Sequence, residues 1–265
     1  MNLEEICKKS IDLIKETAKY ISNEAKNFKV DAVESKGVHD FVSFVDKTAE
    51  KKLVEGFKTI LPEAGYIVEE QTETIKGEKY NWVIDPLDGT TNFIHGLNPY
   101  AISVALMGGD EVVLGVVHEI TRNETFYAWK GSKAFLNNKE IKVSKANKVA
   151  DSLIATGFPY YDYDRLPQFM NSLDYFMRNS HGLRRLGSAA TDLAYVACGR
   201  FDAFYEYSLS PWDVAAGAFI VQQAGGKIAD FSGNNNYIFG KEIIATNFNT
   251  FDEFLDVVKD IMKEK

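Results

Sequence analysis

Trp82-Val83-Ile84-Asp85-Pro86-Leu87-Asp88-Gly89-Thr90-Thr91-Asn92 is the stretch around which the rest of the chain is organised. Trp82 to Ile84 are aromatic and β-branched residues that favour a strand, and Pro86 cannot continue it as a paired central strand. The strand is therefore expected to end at Asp85. Asp85 and Asp88, with the Leu87 carbonyl between them, supply the hard oxygen ligands that Mg²⁺ prefers. Gly89-Thr90-Thr91-Asn92 then permits a tight turn into a helix whose first N–H groups favour an anion such as phosphate. The competing reading is a plain turn, because Asp-Pro and Asp-Gly are common turn dipeptides without chemistry.

The 265 residues are 45% hydrophobic and 13% aromatic, a globular composition long enough for one large core or two small ones. A formal net charge of −8 argues against non-specific nucleic-acid binding and fits a soluble enzyme whose carboxylates are partly neutralised by bound cations. Met1 to Lys9 is charged and no long apolar run follows, so no signal peptide or membrane span is expected and the cytoplasm is the expected compartment. Cys7 and Cys198 read as two free thiols. His39, His95, His118 and His181 lack the spacing of zinc ligands, and there is no P-loop, dinucleotide-binding glycine loop or Gly-x-Ser-x-Gly elbow.

Along the chain, Leu3 to Ile21 has the spacing of an amphipathic helix. Val38 to Val45 alternates as a strand, with Lys36 and Gly37 in the loop before it. Asp46 then stands at the N-cap of a second helix that Pro62 ends. Tyr66-Ile67-Val68 is a short strand leading to Glu69-Glu70, whose carboxylates are either exposed or a further oxygen source beside Asp85 and Asp88. Tyr100–Met107, Val112–Glu119 and Glu124–Trp129 form an antiparallel meander. A further hairpin pairs Ala134–Leu136 with Ile141–Val143 around Asn137-Asn138. In the second half, strands are expected at Ser152–Thr156, Gly182–Leu186, Phe201–Tyr207, Lys227–Asp230 and Glu242–Thr246. Helices are expected at Asp164–Met177, at Ser188–Cys198 with Ser188 as cap, from Ser210-Pro211 to Gly225, and at Thr250–Met262. Tyr160, Tyr161 and Tyr163 with Asp162 and Asp164 read as an exposed loop. Residues 1–265 form one unit, with an N-terminal subdomain over residues 1–150 carrying the main metal site and a C-terminal subdomain over residues 151–265 closing it.

Asp85 to Asn92 resembles the first signature of the inositol monophosphatase family. Trp212-Asp213-Val214-Ala215-Ala216-Gly217, continuing to Ala224-Gly225-Gly226, resembles the second. The likeness runs from Lys36 to Asn247 and is weakest in the first helix and in Gln71 to Lys79. It implies an α+β fold layered as an αβαβα sandwich of the inositol monophosphatase/fructose-1,6-bisphosphatase type. It implies a first Mg²⁺ on Glu69, Asp85 and the Leu87 carbonyl, a second on Asp85, Asp88 and Asp213, and a looser third that shares Glu69. The catalytic group it implies is Thr90 at the nucleophilic water, Glu69 as proton acceptor and Asp46 orienting Thr90, a better account of Asp46 than capping. Phosphate would meet Gly89, Thr90 and Thr91. The polyol would meet Glu206, seven residues before Asp213, together with Gly187, Ser188, Ala189 and either Arg184 or Arg185. Val68 departs from the Gly or Ser that many relatives carry before the acidic pair, and it stiffens the loop bearing Glu69.

The resulting expectation is a Mg²⁺-dependent, lithium-sensitive, homodimeric phosphomonoesterase acting on myo-inositol monophosphate or a similar small polyol phosphate. Relatives of this type also use fructose 1,6-bisphosphate, 3′-phosphoadenosine 5′-phosphate or histidinol phosphate, but an acid at Glu206 would repel a second phosphate. A reading of another class is a regulatory binding partner of the transcription machinery.

Overall fold

A computed structural model of the chain describes residues 1–26, 33–37, 40–160 and 162–263. It begins with helix α1 (Leu3–Ala25), strands β1 (Val33–Gly37) and β2 (Asp40–Ser43), helix α2 (Phe44–Ile60), and strands β3 (Gly65–Val68) and β4 (Tyr80–Asp88). The short helix α3 (Thr90–Ile94) leads to β5 (Ala101–Gly108), β6 (Glu111–Glu119), β7 (Glu124–Trp129), β8 (Ala134–Leu136) and β9 (Lys139–Ile141). The remainder is β10 (Leu153–Thr156), α4 (Leu166–Asn179), β11 (Gly182–Arg184), α5 (Ala189–Ala197), β12 (Ala203–Tyr207), α6 (Pro211–Gln223), β13 (Lys227–Ala229), β14 (Glu242–Thr246) and α7 (Phe251–Met262).

β3 to β9 lie in chain order in a seven-stranded sheet, parallel between β3 and β4 and antiparallel thereafter. A five-stranded sheet runs β11-β10-β12-β14-β13. The pleat of the larger sheet sorts its side chains between two cores. Trp82, Ile84, Ile102, Val104, Leu106, Leu114 and Val116 meet α1 and α2, with Trp82 stacked on Phe57 at 4.1 Å between ring centroids. The opposite face carries Val83, Ala101, Ala105, Val117 and Ala128 against α5 and α6. The outer face of the smaller sheet packs on α4 and α7, where Phe176 stacks on Phe254 at 4.8 Å. The layers are therefore α1/α2, seven-stranded sheet, α5/α6, five-stranded sheet and α4/α7, the expected αβαβα sandwich. Among the described residues no helix is long and apolar enough to cross a membrane, and Cys7 and Cys198 are both free thiols.

Small residues let the central helices sit close. A Cβ at Gly115 of β6 would lie 2.7 Å from the Ala216 carbonyl of α6, so only glycine permits this spacing. Ala215, Ala216, Gly217 and Ala218 line up on the helix, and Ser103 Oγ of β5 donates to the Trp212 carbonyl at 2.9 Å. These contacts fix the first turn of α6, where Asp213 lies.

Several local expectations are corrected. β4 does not end at Asp85 but runs to Asp88, because Asp85 pairs with Ser103 and Asp88 with Ala101, leaving one extra residue on β4. Pro86 is accommodated in this bulge, where a ladder N–H is not required. Lys36 and Gly37 belong to β1 rather than a loop, and the strand expected at Val38–Val45, described from Asp40 onward, stops at Ser43 because α2 already begins at Phe44. Val38 and His39 lie outside the described residues, as does Tyr161. Asp46 is therefore inside the first turn of α2 rather than at its N-cap. The final strand of the small hairpin is Lys139–Ile141, set by the two-residue turn Asn137-Asn138, whose φ values are +47° and +67°.

Gly115→Ala is expected to force α6 off the sheet and lower stability by about 1–3 kcal/mol, the usual cost of overpacking a tight core. Urea unfolding measures it, and an unchanged midpoint would show that the helix spacing is soft.

Candidate active site

The cleft of about 560 Å³ between the ends of the two sheets gathers residues from β4, α3, α5, β12 and α6 and from the segments beside them. Glu69 follows β3, Asp85 to Asp88 close β4, Gly89 to Thr91 open α3, Ala189 opens α5, Glu206 is the penultimate residue of β12, and Asp213 stands on the first turn of α6. The bulge matters here. Residues three apart on a regular strand face opposite ways, and the extra residue between the pairs Asp85–Ser103 and Asp88–Ala101 re-aims Asp88 so that both acids line one cavity.

Each acid is held by named donors. Asp85 Oδ1 accepts from the Leu87 N–H at 2.8 Å. Asp88 Oδ2 accepts from the Ser188 hydroxyl at 2.6 Å and the Ala190 N–H at 2.7 Å, at the N-terminus of α5. Asp213 Oδ2 accepts from the Ser210 N–H at 2.7 Å, one half of a capping box that the Ser210-x-x-Asp213 spacing encodes. Thr90 Oγ1 lies 3.0 Å from both Asp46 Oδ1 and the Leu87 carbonyl, and its single proton can serve one of them at a time. Asn92 ties the assembly together by donating to the carbonyls of Pro99 and Leu186, each at 2.8 Å.

Charge is unbalanced. Glu69, Glu70, Asp85, Asp88, Glu206 and Asp213 line the cleft, and Arg185 is the one lysine or arginine among the described lining residues. Burial, followed by the charges of Glu69, Asp88 and Asp213, holds Asp85 well above the ordinary carboxylate range. Burial pushes Asp88 up to about 6 against the opposing pull of the Ser188, Ala190 and Ala189 donors. Burial and the neighbouring Asp88 push Asp213 up to about 7. Glu206 is raised well above its usual value by burial and then by Asp213 and Asp88. Asp192 on α5 joins this group: it is buried, its Oδ1 has no hydrogen-bond partner, and burial with Glu206 and Asp88 raises it.

A divalent cation fits this donor set by type and charge, since it would relieve the repulsion and bring hard oxygens to a hard ion. No three acidic, histidine or cysteine side chains among the described residues already form a closed cage. The fit therefore rests on chemistry rather than on preset coordination distances.

Most residues singled out from the sequence line the cleft, but Asp46 is buried behind Thr90, whose hydroxyl hydrogen-bonds it, rather than in the lining. Arg184 is also outside the lining: it is exposed and donates to the Leu183 carbonyl at 2.8 Å. Arg185 takes that place because it packs over Phe158 and Tyr160 and hydrogen-bonds the Tyr160 hydroxyl. Tyr160 is accordingly half-buried in the cleft wall rather than in an exposed loop. Gly157 was not legible: a Cβ there would fall 2.0 Å from Glu206 Oε1, so its missing side chain makes room for that carboxylate. Trp212 and Ser210, also in the lining, flank Asp213 and were available from the motif.

A model of the inositol monophosphatase family matches residues 2–262. The chain belongs to the inositol monophosphatase family. The match spans the first helix and the Gln71–Lys79 segment, where the two motifs gave least. The chain is 40% identical over 245 residues to Nus factor SuhB of Escherichia coli, covering 91% of each. Among solved structures it resembles the Thermotoga maritima IMPase at a TM-score of 0.86 and 36% identity, covering 95% of this chain and 96% of that one. It also resembles the extragenic suppressor protein suhB of Bartonella henselae at a TM-score of 0.88 and 34% identity, covering 97% and 98%. Membership of the inositol monophosphatase family agrees with both signatures and with the layered fold.

The raised carboxylates fix the sign of a pH effect. A carboxylate whose folded pKa lies above its unfolded value of about 4 contributes stability that is complete below pH 4 and lost as pH rises through the folded value. For Asp88 and Asp213 that loss runs from about pH 4 to about 6 and 7, respectively. In EDTA, Asp213→Asn is therefore expected to melt above wild type at pH 8 and no higher than wild type at pH 4, with Mg²⁺ reversing the order at pH 8. Thermal melts at both pH values test this, and an Asn variant that melts lower in EDTA at pH 8 would contradict the cost of burying a charged Asp213 beside Asp88.

Proposed function

We propose that the protein is a Mg²⁺-dependent phosphomonoesterase acting on myo-inositol monophosphate or a similar small polyol phosphate. The observation that carries this reading is the convergence of Asp85, Asp88, Asp213 and Glu69 on one cleft that Thr90 also lines, its hydroxyl held by the buried Asp46 behind it. Glu69, Asp85 and the Leu87 carbonyl would hold one cation, Asp85, Asp88 and Asp213 a second, and Glu69 would contribute to a third. Bound cations supply phosphate charge neutralisation, a water of lowered pKa and stabilisation of the leaving oxygen.

The chain's own residues do the rest. The Thr90 hydroxyl, with its proton directed to Asp46, presents lone pairs that orient the attacking water. Glu69 accepts the proton from that water. Backbone N–H groups at Gly89, Thr90 and Thr91 meet the phosphate oxygens. On the opposite wall Glu206 accepts from polyol hydroxyls, with Gly187, Ser188 and Ala189 beside it and Arg185 completing the rim. The family and the reading imply lithium sensitivity, a homodimer and a cytoplasmic enzyme.

A second reading has its own observation: a relative 40% identical to this chain bears the name Nus factor SuhB. A regulatory role in the transcription machinery is compatible with an intact cleft, since a docking surface and a phosphatase site can occupy different faces of one fold.

Phosphate release from myo-inositol 1-phosphate, fructose 1,6-bisphosphate, 3′-phosphoadenosine 5′-phosphate and histidinol phosphate, with and without Mg²⁺, decides between these. The expected result is Mg²⁺-dependent turnover, fastest on the inositol phosphate, and reduced by at least about a hundredfold in Asp213→Asn. Preference for the bisphosphate would overturn the role given to Glu206. No turnover of any of the four would favour the regulatory reading.

A further inference from the structure

Glu50 lies one helical turn beyond Asp46 on α2 and is completely buried, at 0% exposure. A carboxylate at that depth is costly unless donors meet its oxygens. All three donors found come from one short turn. Glu50 Oε2 accepts from the Glu70 N–H at 2.7 Å, and Oε1 accepts from the Thr72 N–H at 2.9 Å and the Thr72 hydroxyl at 2.7 Å. The two N–H groups flank Gln71, whose φ of +54° puts it in the left-handed region. A non-glycine residue there costs about 1 kcal/mol or more unless its surroundings hold it. Backbone N–H groups converging across such a residue form an anion-binding concavity, and here the anion is the protein's own side chain.

The turn begins immediately after Glu69, and Glu69, Glu70 and Gln71 all line the cleft. Positions 46 and 50 share a face of α2, and Asp46 on that face receives the Thr90 hydroxyl. We propose that Glu50 is a positioning residue for the site: by clamping the Glu70–Thr72 turn in its left-handed bend, it fixes the direction in which the Glu69 carboxylate leaves β3. One face of one helix then sets both Glu69 and Thr90. The proposal rests on the phosphatase reading in giving Glu69 its task, but the clamp itself is independent of substrate.

The test compares Glu50→Gln with Leu53→Ala, a cavity variant in the buried cluster on the same helix. Glu50→Gln keeps the shape but sets an NH₂ against one of the N–H donors. Mg²⁺ binding by calorimetry, amide exchange of residues 69–72 and phosphate release are read on the full chain. The expected result for Glu50→Gln is Mg²⁺ binding at least about tenfold weaker, faster exchange in the turn and a lower kcat. Leu53→Ala should lower Tm while leaving Mg²⁺ binding within about twofold of wild type, because its cavity acts on global stability. Adding Gln71→Gly to Glu50→Gln should recover some of the Mg²⁺ affinity, since glycine adopts the bend without the carboxylate. Unchanged Mg²⁺ binding and exchange in Glu50→Gln, or an equal loss in Leu53→Ala, overturns the proposal while wild type still binds Mg²⁺. A wild type that binds no Mg²⁺ sinks the phosphatase reading and the purpose assigned to the turn with it.

Discussion

One additional residue in β4, between Asp85 and Asp88, is the constraint on which the rest of the cleft depends. A regular strand would have turned one of these carboxylates into the core beneath α1 and α2, where no donor set awaits it. With the bulge, both face the α5/α6 layer, and each neighbouring element supplies what two crowded acids require. The N-terminus of α5 meets Asp88 with Ser188 and Ala190, while α6 brings Asp213 within its field. The small residues on the facing strands follow from the same geometry, because acids contributed by a helix and a sheet can share a cavity only if helix and sheet lie close. Gly115 and the Ala215–Ala218 run provide that closeness.

Burial first, and neighbouring charges second, make the ionised forms of these acids costly, and a binding site commonly gives up some stability in this way. Arg185 offsets part of that cost for Asp88 and Glu206. It is held from the side by Phe158 and Tyr160, which keeps a cation close enough to act on Glu206 and Asp88. Val68, β-branched and buried at the end of β3, packs beneath the Glu69 side, so the two walls of the cleft are supported by different means.

What the sequence made legible was local chemistry. Asp85 to Asn92 and Trp212 to Gly217 carry their meaning in consecutive residues, and Ser210-Pro211-Trp212-Asp213 spells out a helix start that the structure reproduces. The layered architecture was legible through the resemblance that these two motifs carry, and the meander through alternation of apolar residues. Features set by partners distant in the chain were not legible. The bulge is defined by pairing with β5, and the need for glycine at 157 is set by Glu206, forty-nine positions away. Arg184 and Arg185 are adjacent and chemically identical, so only the local twist after β11 tells which one turns inward. Tyr160 sits in a loop, as expected, but read as exposed because nothing near it in the chain announces the arginine it holds.

α5 and the middle of α6 differ from the other long helices in having no solvent face: every residue of α5 is buried, as are Val214 to Val221 of α6, while the two ends of α6 reach the surface. Covered by a sheet on each side, they cannot open by fraying outward; their backbone hydrogen bonds are released only when the two sheets separate. Asp213 and the Asp88-binding end of α5 thus belong to the most cooperative unit of the molecule. Local opening of the outer layers leaves that half of the cleft assembled, and separating the sheets dismantles it in the same event as the core.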